Sequence, residues 1–241
     1  MKPRAGVALT SVMMALTLTT GMIEAVSFLV LGPVFTAVQT GNLLFLAFAL
    51  AGATDLSPAA SGVSIAGFAV GTVLGSRLES EVDRRGNRWF VVALLAEAVL
   101  LGLGALLAWR TGIHPPTGSG EPSTGRHFAV IALVAGAMGL RNVTALRASV
   151  PDVPTTLSTR ALTALLSGLP PTADTRIGSG ARHEGRRLAS VGAMFTGGML
   201  GAWLLDAAVD PAVVLLLTAA LALCLGTAHW ATPVERTSVR G

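Results

Sequence analysis

The chain has 241 residues, of which 52% are of the apolar set AVILMFWYC and only 12% are charged. That charge content is about half the roughly 25% of a soluble domain, and the mean hydropathy is +0.67. Six spans of about 20 apolar residues each would take up half the chain. Disorder, ordinary nucleic-acid binding and a soluble enzyme are thereby excluded. The isoelectric point near 10.9 resembles that of a DNA-binding protein, but the net charge is only +4 and the arginines lie between apolar runs. The basic excess therefore reads as membrane orientation and not as phosphate binding.

Eight apolar runs follow in order. The first, residues 6–31, comes after Lys2 and Arg4 and is broken only by Glu24. It is longer than the roughly 7–15 residues of a signal-peptide core, so it reads as a first membrane helix and not as a cleaved leader. Residues 34–53 form the second run, interrupted by Gln39-Thr40-Gly41-Asn42. The third and fourth are 59–78 and 89–109, the fourth carrying Glu97. The fifth, 127–146, carries Arg141 and Asn142, and the sixth, 154–169, is short and carries Arg160. Runs 188–205 and 211–230 complete the set. All four tryptophans, Trp89, Trp109, Trp203 and Trp230, lie near run ends, where amphipathic rings sit at headgroup level.

The positive-inside rule reduces eight runs to six net crossings. If the first and second runs together cross once, and the fifth and sixth together cross once, nearly every Lys and Arg falls at or near one side. Only Arg110 and Arg126 fall opposite, with the connections around Asp55 and at residues 206–210. Both termini are then cytoplasmic, in a bacterial inner membrane. Runs two and six are broken or re-entrant, an arrangement tolerated only where protein or a watery cavity covers the backbone.

The halves are weakly alike. Glu24 aligns with Asn142, Thr36 with Thr155, Thr40 with Thr159, and the Gly71-x-x-x-Gly75 pair with Gly197-x-x-x-Gly201. The expected organisation is one integral membrane domain: a first repeat over about 6–110, a linker over about 111–125 and a second repeat over about 126–232. Three crossings per half make the repeats inverted, as in many transporters. The small-residue pairs read as close helix packing in the centre of the bundle.

Chemistry is sparse. The single cysteine, Cys224, permits no intrachain disulfide, and the four histidines are scattered. No metal, nucleotide or hydrolase motif is present, so neither a cofactor nor catalysis is expected. Charged groups inside spans are costly and invite an explanation. Glu24 reads either as a cation- or proton-binding carboxylate, or as a structural partner of Arg141 or of a broken helix. Glu97 reads either as a second proton site or as the holder of an unseen packing partner. Thr40 is expected to cap a half-helix beginning at Gly41, with Gly41 allowing a sharp turn. Ser158, Thr159 and Arg160 are expected to repeat that arrangement.

The stretch Gly21-Met-Ile-Glu-Ala, then Phe35, then Thr40-Gly41-Asn42, resembles the YoaK-like family of bacterial membrane proteins (domain of unknown function 1275). So does Gly139-Leu-Arg-Asn142, followed by Pro151-Asp-Val-Pro-Thr155-Thr156 and Thr159. The resemblance spans about residues 8–230 and implies a multi-spanning inner-membrane protein, with no reaction or substrate attached. The chain departs from the family pattern at Glu24 for the usual aspartate, at Arg141 for glutamine and at Arg160 for glycine.

The expected fold is all-α and polytopic. The leading function is a transporter or channel for a small polar or charged solute. The candidate site is one buried polar cavity lined by Glu24, Gln39, Thr40, Asn42, Arg141, Asn142, Thr155 and Thr159. The alternative is a non-transporting scaffold, or a lipid- or partner-binding protein. Expected partners are the lipid bilayer, the solute and a second copy of the chain, and not nucleic acid.

Overall fold

The computed structural model describes residues 7–113, 125–148 and 181–231, and every regular element among the described residues is a helix. In chain order these are α1 (Val7–Val30), α2 (Gln39–Leu50), α3 (Pro58–Arg84), α4 (Trp89–Thr111), α5 (Gly125–Ala148), α6 (Ala181–Asp206) and α7 (Pro211–Ala231). All but α2 are long and apolar enough to cross a bilayer. The protein is thus an integral, multi-pass membrane protein whose apolar helices contact lipid. Thr155, Thr159, Arg160 and the whole 154–169 run lie outside the described residues.

Local chemistry sets the helix ends. The Ser57 hydroxyl accepts from the Ala60 N–H at 3.1 Å and Pro58 follows, so α3 begins with an ordinary N-cap and a proline at its first position. Gly112, at φ 59°, closes α4 in the left-handed conformation that glycine adopts without a Cβ penalty. Asp210 accepts from Ala212 N–H at 2.8 Å and Pro211 opens α7. After Val30, Gly32 at φ 110° and Pro33 end α1.

The helices interlock through glycine. α3 packs along α5, and α1 along α6, with α4 lying between α5 and α7. A Cβ placed on Gly71 would stand 1.9 Å from the Gly136 carbonyl oxygen, and one on Gly197 would stand 1.9 Å from that of Leu18. Similarly, a Cβ on Gly139 would meet the Phe68 oxygen at 2.1 Å, and one on Gly21 the Met194 oxygen at 2.4 Å. Gly75 faces Leu140 and Gly201 faces Met22. Without side chains in the way, these backbones approach as close as small-residue seams allow. The rest of the core is aliphatic, with Ile23, Val26, Leu101, Val134, Met138 and Leu215 together at its centre.

One expectation about the tryptophans needs correction. Trp109, Trp203 and Trp230 are exposed at helix ends, as a headgroup position requires, but Trp89 is fully buried. Its ring lies edge-on to Phe90 and beneath the Arg147 guanidinium, 4.6 Å away, so it serves as a packing platform.

Candidate functional site

The break between α1 and α2 is the most polar feature inside the apolar bundle. α2 has 12 residues, so it rises only about 18 Å against about 30 Å of hydrocarbon, and cannot span alone. Its N-terminus also lies well below the end of α1. The Glu24 carboxylate accepts hydrogen bonds from the backbone N–H groups of Thr36, Ala37 and Val38, those of Thr36 and Val38 at 3.2 Å. Glu24 precedes Val30 by six residues, or about 9 Å of helix. The chain therefore turns back along α1 before α2 begins, and residues 31–38 re-enter.

Irregular backbone at that depth must have its polar groups satisfied. Two side chains take on most of this. Glu24, 7% exposed, takes the three N–H groups at the start of α2, where the positive end of the helix dipole also favours an anion. Asn42, fully buried, accepts from Phe35 N–H at 2.9 Å and donates to the Phe35 carbonyl at 2.6 Å and to Gln39 Oε1 at 2.8 Å. Ser64 on α3 donates to the same Phe35 carbonyl at 2.6 Å and sits 3.0 Å from Asn42 Nδ2. Gln39 Nε2 closes the network on Thr36 O at 2.8 Å and Ser64 Oγ at 3.3 Å. Ser27 Oγ and Thr36 Oγ1, 3.0 Å apart, join the loop to α1.

Two expectations fail here. Thr40 is exposed and caps nothing: Val38 holds the N-cap position of α2 and makes no side-chain cap bond. The cap comes instead from another helix, through Glu24. Nor does Gly41 make a sharp turn. It lies within α2, and a Cβ there would stand 2.7 Å from the Phe35 ring, so the glycine makes room for that ring.

Arg141 belongs to a second centre. Its guanidinium binds Glu97 of α4, through Nε at 3.1 Å and through Nη2, with both side chains fully buried. Nη1 donates to the Leu16 carbonyl at 2.9 Å and to Thr20 Oγ1 at 2.8 Å on α1. The partner of Arg141 is thus Glu97 and not Glu24, and the arginine does not snorkel to the interface. Glu97 Oε2 has no hydrogen-bond partner. Thr20 and Glu24 are one turn apart on α1, which ties the two centres to a single helix. Asn142 is half-buried on α5.

The structure thus brings Glu24, Gln39 and Asn42 into one network and puts Arg141 in another. Sequence reasoning missed Ser64 and Thr20, because a lone hydroxyl in an apolar helix carries no pattern. It also missed Glu79 and Thr144, buried together between α3 and α5, because Glu79 sits close to the polar end of its run. Among the described residues, no three His, Cys, Asp or Glu side chains are grouped to hold a metal.

The chain is 26% identical over 157 residues to "UPF0700 transmembrane protein YoaK" of Bacillus subtilis (strain 168), an alignment covering 64% of this chain and 64% of that relative. No solved structure matches. The model of the family described as "Protein of unknown function (DUF1275)" matches residues 12–228, and with nearly the full set of membrane helices inside that match, the chain belongs to this family.

Proposed function

We propose that this protein is a transporter or channel for a small polar or charged solute, seated in the bacterial inner membrane with both termini cytoplasmic. The observation that carries the reading is the re-entrant break at residues 31–38, where Glu24, Gln39, Asn42 and Ser64 converge inside the hydrocarbon depth. Broken helices of this kind place polar backbone and side chains where a solute must pass. Gln39, half-buried at the edge of the network, is the group through which a solute would meet it. Asn142, half-buried on α5, would line the same path from the second half.

An inverted repeat of three spans per half goes with this reading. Its support is the matching of glycine contacts across the halves. Leu18 and Met22 correspond to Gly136 and Leu140 at one offset, 118 residues, and Phe68 and Gly71 to Met194 and Gly197 at another, 126 residues. The contacts of Gly71, Gly75 and Gly139 between α3 and α5 then have counterparts in those of Gly197, Gly201 and Gly21 between α6 and α1, while that of Gly67 with Ala132 has none.

A second reading, a membrane protein that holds lipid or a partner and moves nothing, is favoured by one feature. A groove of about 580 Å³ lies between the end of α1 and α6, lined by Leu29, Val30, Met199, Ala202, Trp203 and Leu205, with Asp206 as its one charged residue. It suits an acyl chain better than a polar solute. The test is an uptake screen of small ions, amino acids and sugars in vesicles holding the purified protein. Accumulation of one solute class that is lost in Asn42→Leu supports transport. Uptake no faster than in empty vesicles across the whole panel, from folded protein, rejects it.

A further inference from the structure

The seam between α3 and α5 buries a carboxylate that the re-entrant site does not use. Glu79 is 1% exposed, about one and a half helical turns before Arg84 and the arginine-rich end of α3. Its Oε1 lies 2.5 Å from the hydroxyl of Thr144, while its Oε2 has no hydrogen-bond partner. The Thr144 hydroxyl is also 3.1 Å from the carbonyl of Leu140, one turn back. A hydroxyl has one proton to give. If Thr144 donates to Leu140, the short contact with Glu79 needs its proton from the carboxyl group. If Thr144 donates to Glu79 instead, the contact needs no proton from the carboxyl group and Leu140 loses a bond.

The charged neighbours distinguish these two arrangements. Among the described residues, Arg147 faces Glu79 from α5 and Asp83 from its own helix, and α4 contributes the Trp89 ring on which the Arg147 guanidinium lies. Arg147 Nη2 is 2.5 Å from Asp83, but its Nη1 stays 3.9 Å from Glu79 Oε2, beyond hydrogen-bond reach. An ionised Glu79 would draw that guanidinium in. A neutral carboxyl would not, and leaving its carbonyl oxygen unpaired costs far less than leaving an anion unpaired.

We propose that Glu79, Thr144 and Arg147 form a proton-binding site at the arginine-rich end of the α3–α5 seam. In its proton-loaded form the carboxyl donates to Thr144, whose own proton goes to the Leu140 carbonyl. A proton from the aqueous phase adds to the carboxylate, Thr144 turns from Glu79 to Leu140, and Arg147 moves wholly to Asp83. Release returns the proton to water and reverses both movements. No other bond forms or breaks. A metal cation is a poor occupant, because the guanidinium stands where it would be repelled. The site requires no solute movement, so it stands or falls independently of transport.

The experiment is infrared difference spectroscopy of the full chain in lipid vesicles as pH is stepped, reading the C=O stretch of buried carboxylic acids. The expected result is a pH-dependent band that is lost in Glu79→Gln. Its frequency should shift in Thr144→Val, which keeps the side-chain shape, and return in Thr144→Ser. The threonine pair keeps Glu79 in place, so it decides the matter even if Glu79→Gln fails to fold. A spectrum without such a band, a band retained in Glu79→Gln, or a band unmoved in Thr144→Val overturns the proposal.

Discussion

Gly71 is the tightest point of the α3–α5 seam, and replacing it with alanine tests how the bundle is held. The new Cβ would lie 1.9 Å from the Gly136 oxygen, 2.6 Å from its carbonyl carbon and 2.7 Å from its Cα. All three are backbone atoms of a packed helix, so no side-chain rotation relieves the clash. Reaching even 3.0 Å needs the helices to part by about 1 Å, and that loosens contacts along the whole seam. Overpacking of this kind typically costs about 1–3 kcal/mol, and a backbone-to-backbone clash belongs at the top of that range. At 3 kcal/mol the folding equilibrium falls by about 150-fold. Gly62, on the same helix, has no atom within 4 Å of the point where a Cβ would stand. Gly62→Ala should therefore gain up to about 1 kcal/mol of helix propensity instead. Reversible unfolding of the purified protein in mixed micelles reads the difference. Gly197→Ala, facing the Leu18 oxygen at the same 1.9 Å, should lose about as much as Gly71→Ala. If Gly71→Ala is as stable as Gly62→Ala, the close packing is wrong. If Gly71→Ala and Gly197→Ala differ widely, the correspondence between the halves fails.

Other variants probe the polar centres and the threading. Arg141→Gln should destabilise the fold by about 3–5 kcal/mol, since it strands Glu97 in the interior. The double change Glu97→Leu with Arg141→Met should recover most of that loss in the same unfolding assay, and an equally unstable double variant would refute the pairing. Glu24→Ala should speed amide exchange at Thr36, Ala37 and Val38 by at least tenfold, because it removes the acceptor all three share; Thr40→Val, at an exposed position, should leave exchange there unchanged. In a Cys224→Ala background, cysteines at Thr54 and Ala207 should react with a membrane-impermeant thiol reagent added to intact cells, and one at Asn87 should not. Labelling of Asn87 would overturn the proposed orientation.

The membrane class, the six spans and the helical break are legible in the sequence because each rests on a strong local signal. Runs of 20 apolar residues, Gly-Pro after Leu31 and polar residues in an apolar run need no tertiary knowledge. Which residue satisfies which group is not legible in the same way. Thr40 looks like a cap because a threonine before glycine and asparagine has the right local chemistry. The actual acceptor, Glu24, reaches α2 from another helix, and only the path of residues 31–38 brings it there. For Arg141, the nearest carboxylate in the aligned motif is Glu24. Its true partner, Glu97, comes from α4, which packs against α5 in the folded bundle. Trp89 stands at a run end, as an interfacial ring would, but the guanidinium above it and the packing of Phe90 bury that end.

The polar residues also account for how the two halves differ. The contacts of Gly71, Gly75 and Gly139 have counterparts in those of Gly197, Gly201 and Gly21, but the groups at the aligned positions Glu24 and Asn142 do not carry the same charge. In the first half the carboxylate at this position is taken up by three backbone N–H groups of its own re-entrant loop. In the second half the adjacent residue, Arg141, extends into the first half and donates to Leu16 and Thr20, two turns and one turn before Glu24. The Arg141 contacts cross from α5 to α1. Breaking them in the hydrocarbon interior would expose a charge at a cost of several kcal/mol. The buried pair thus ties α4 and α5 to α1 at this level, through Arg141, Glu97 and Thr20.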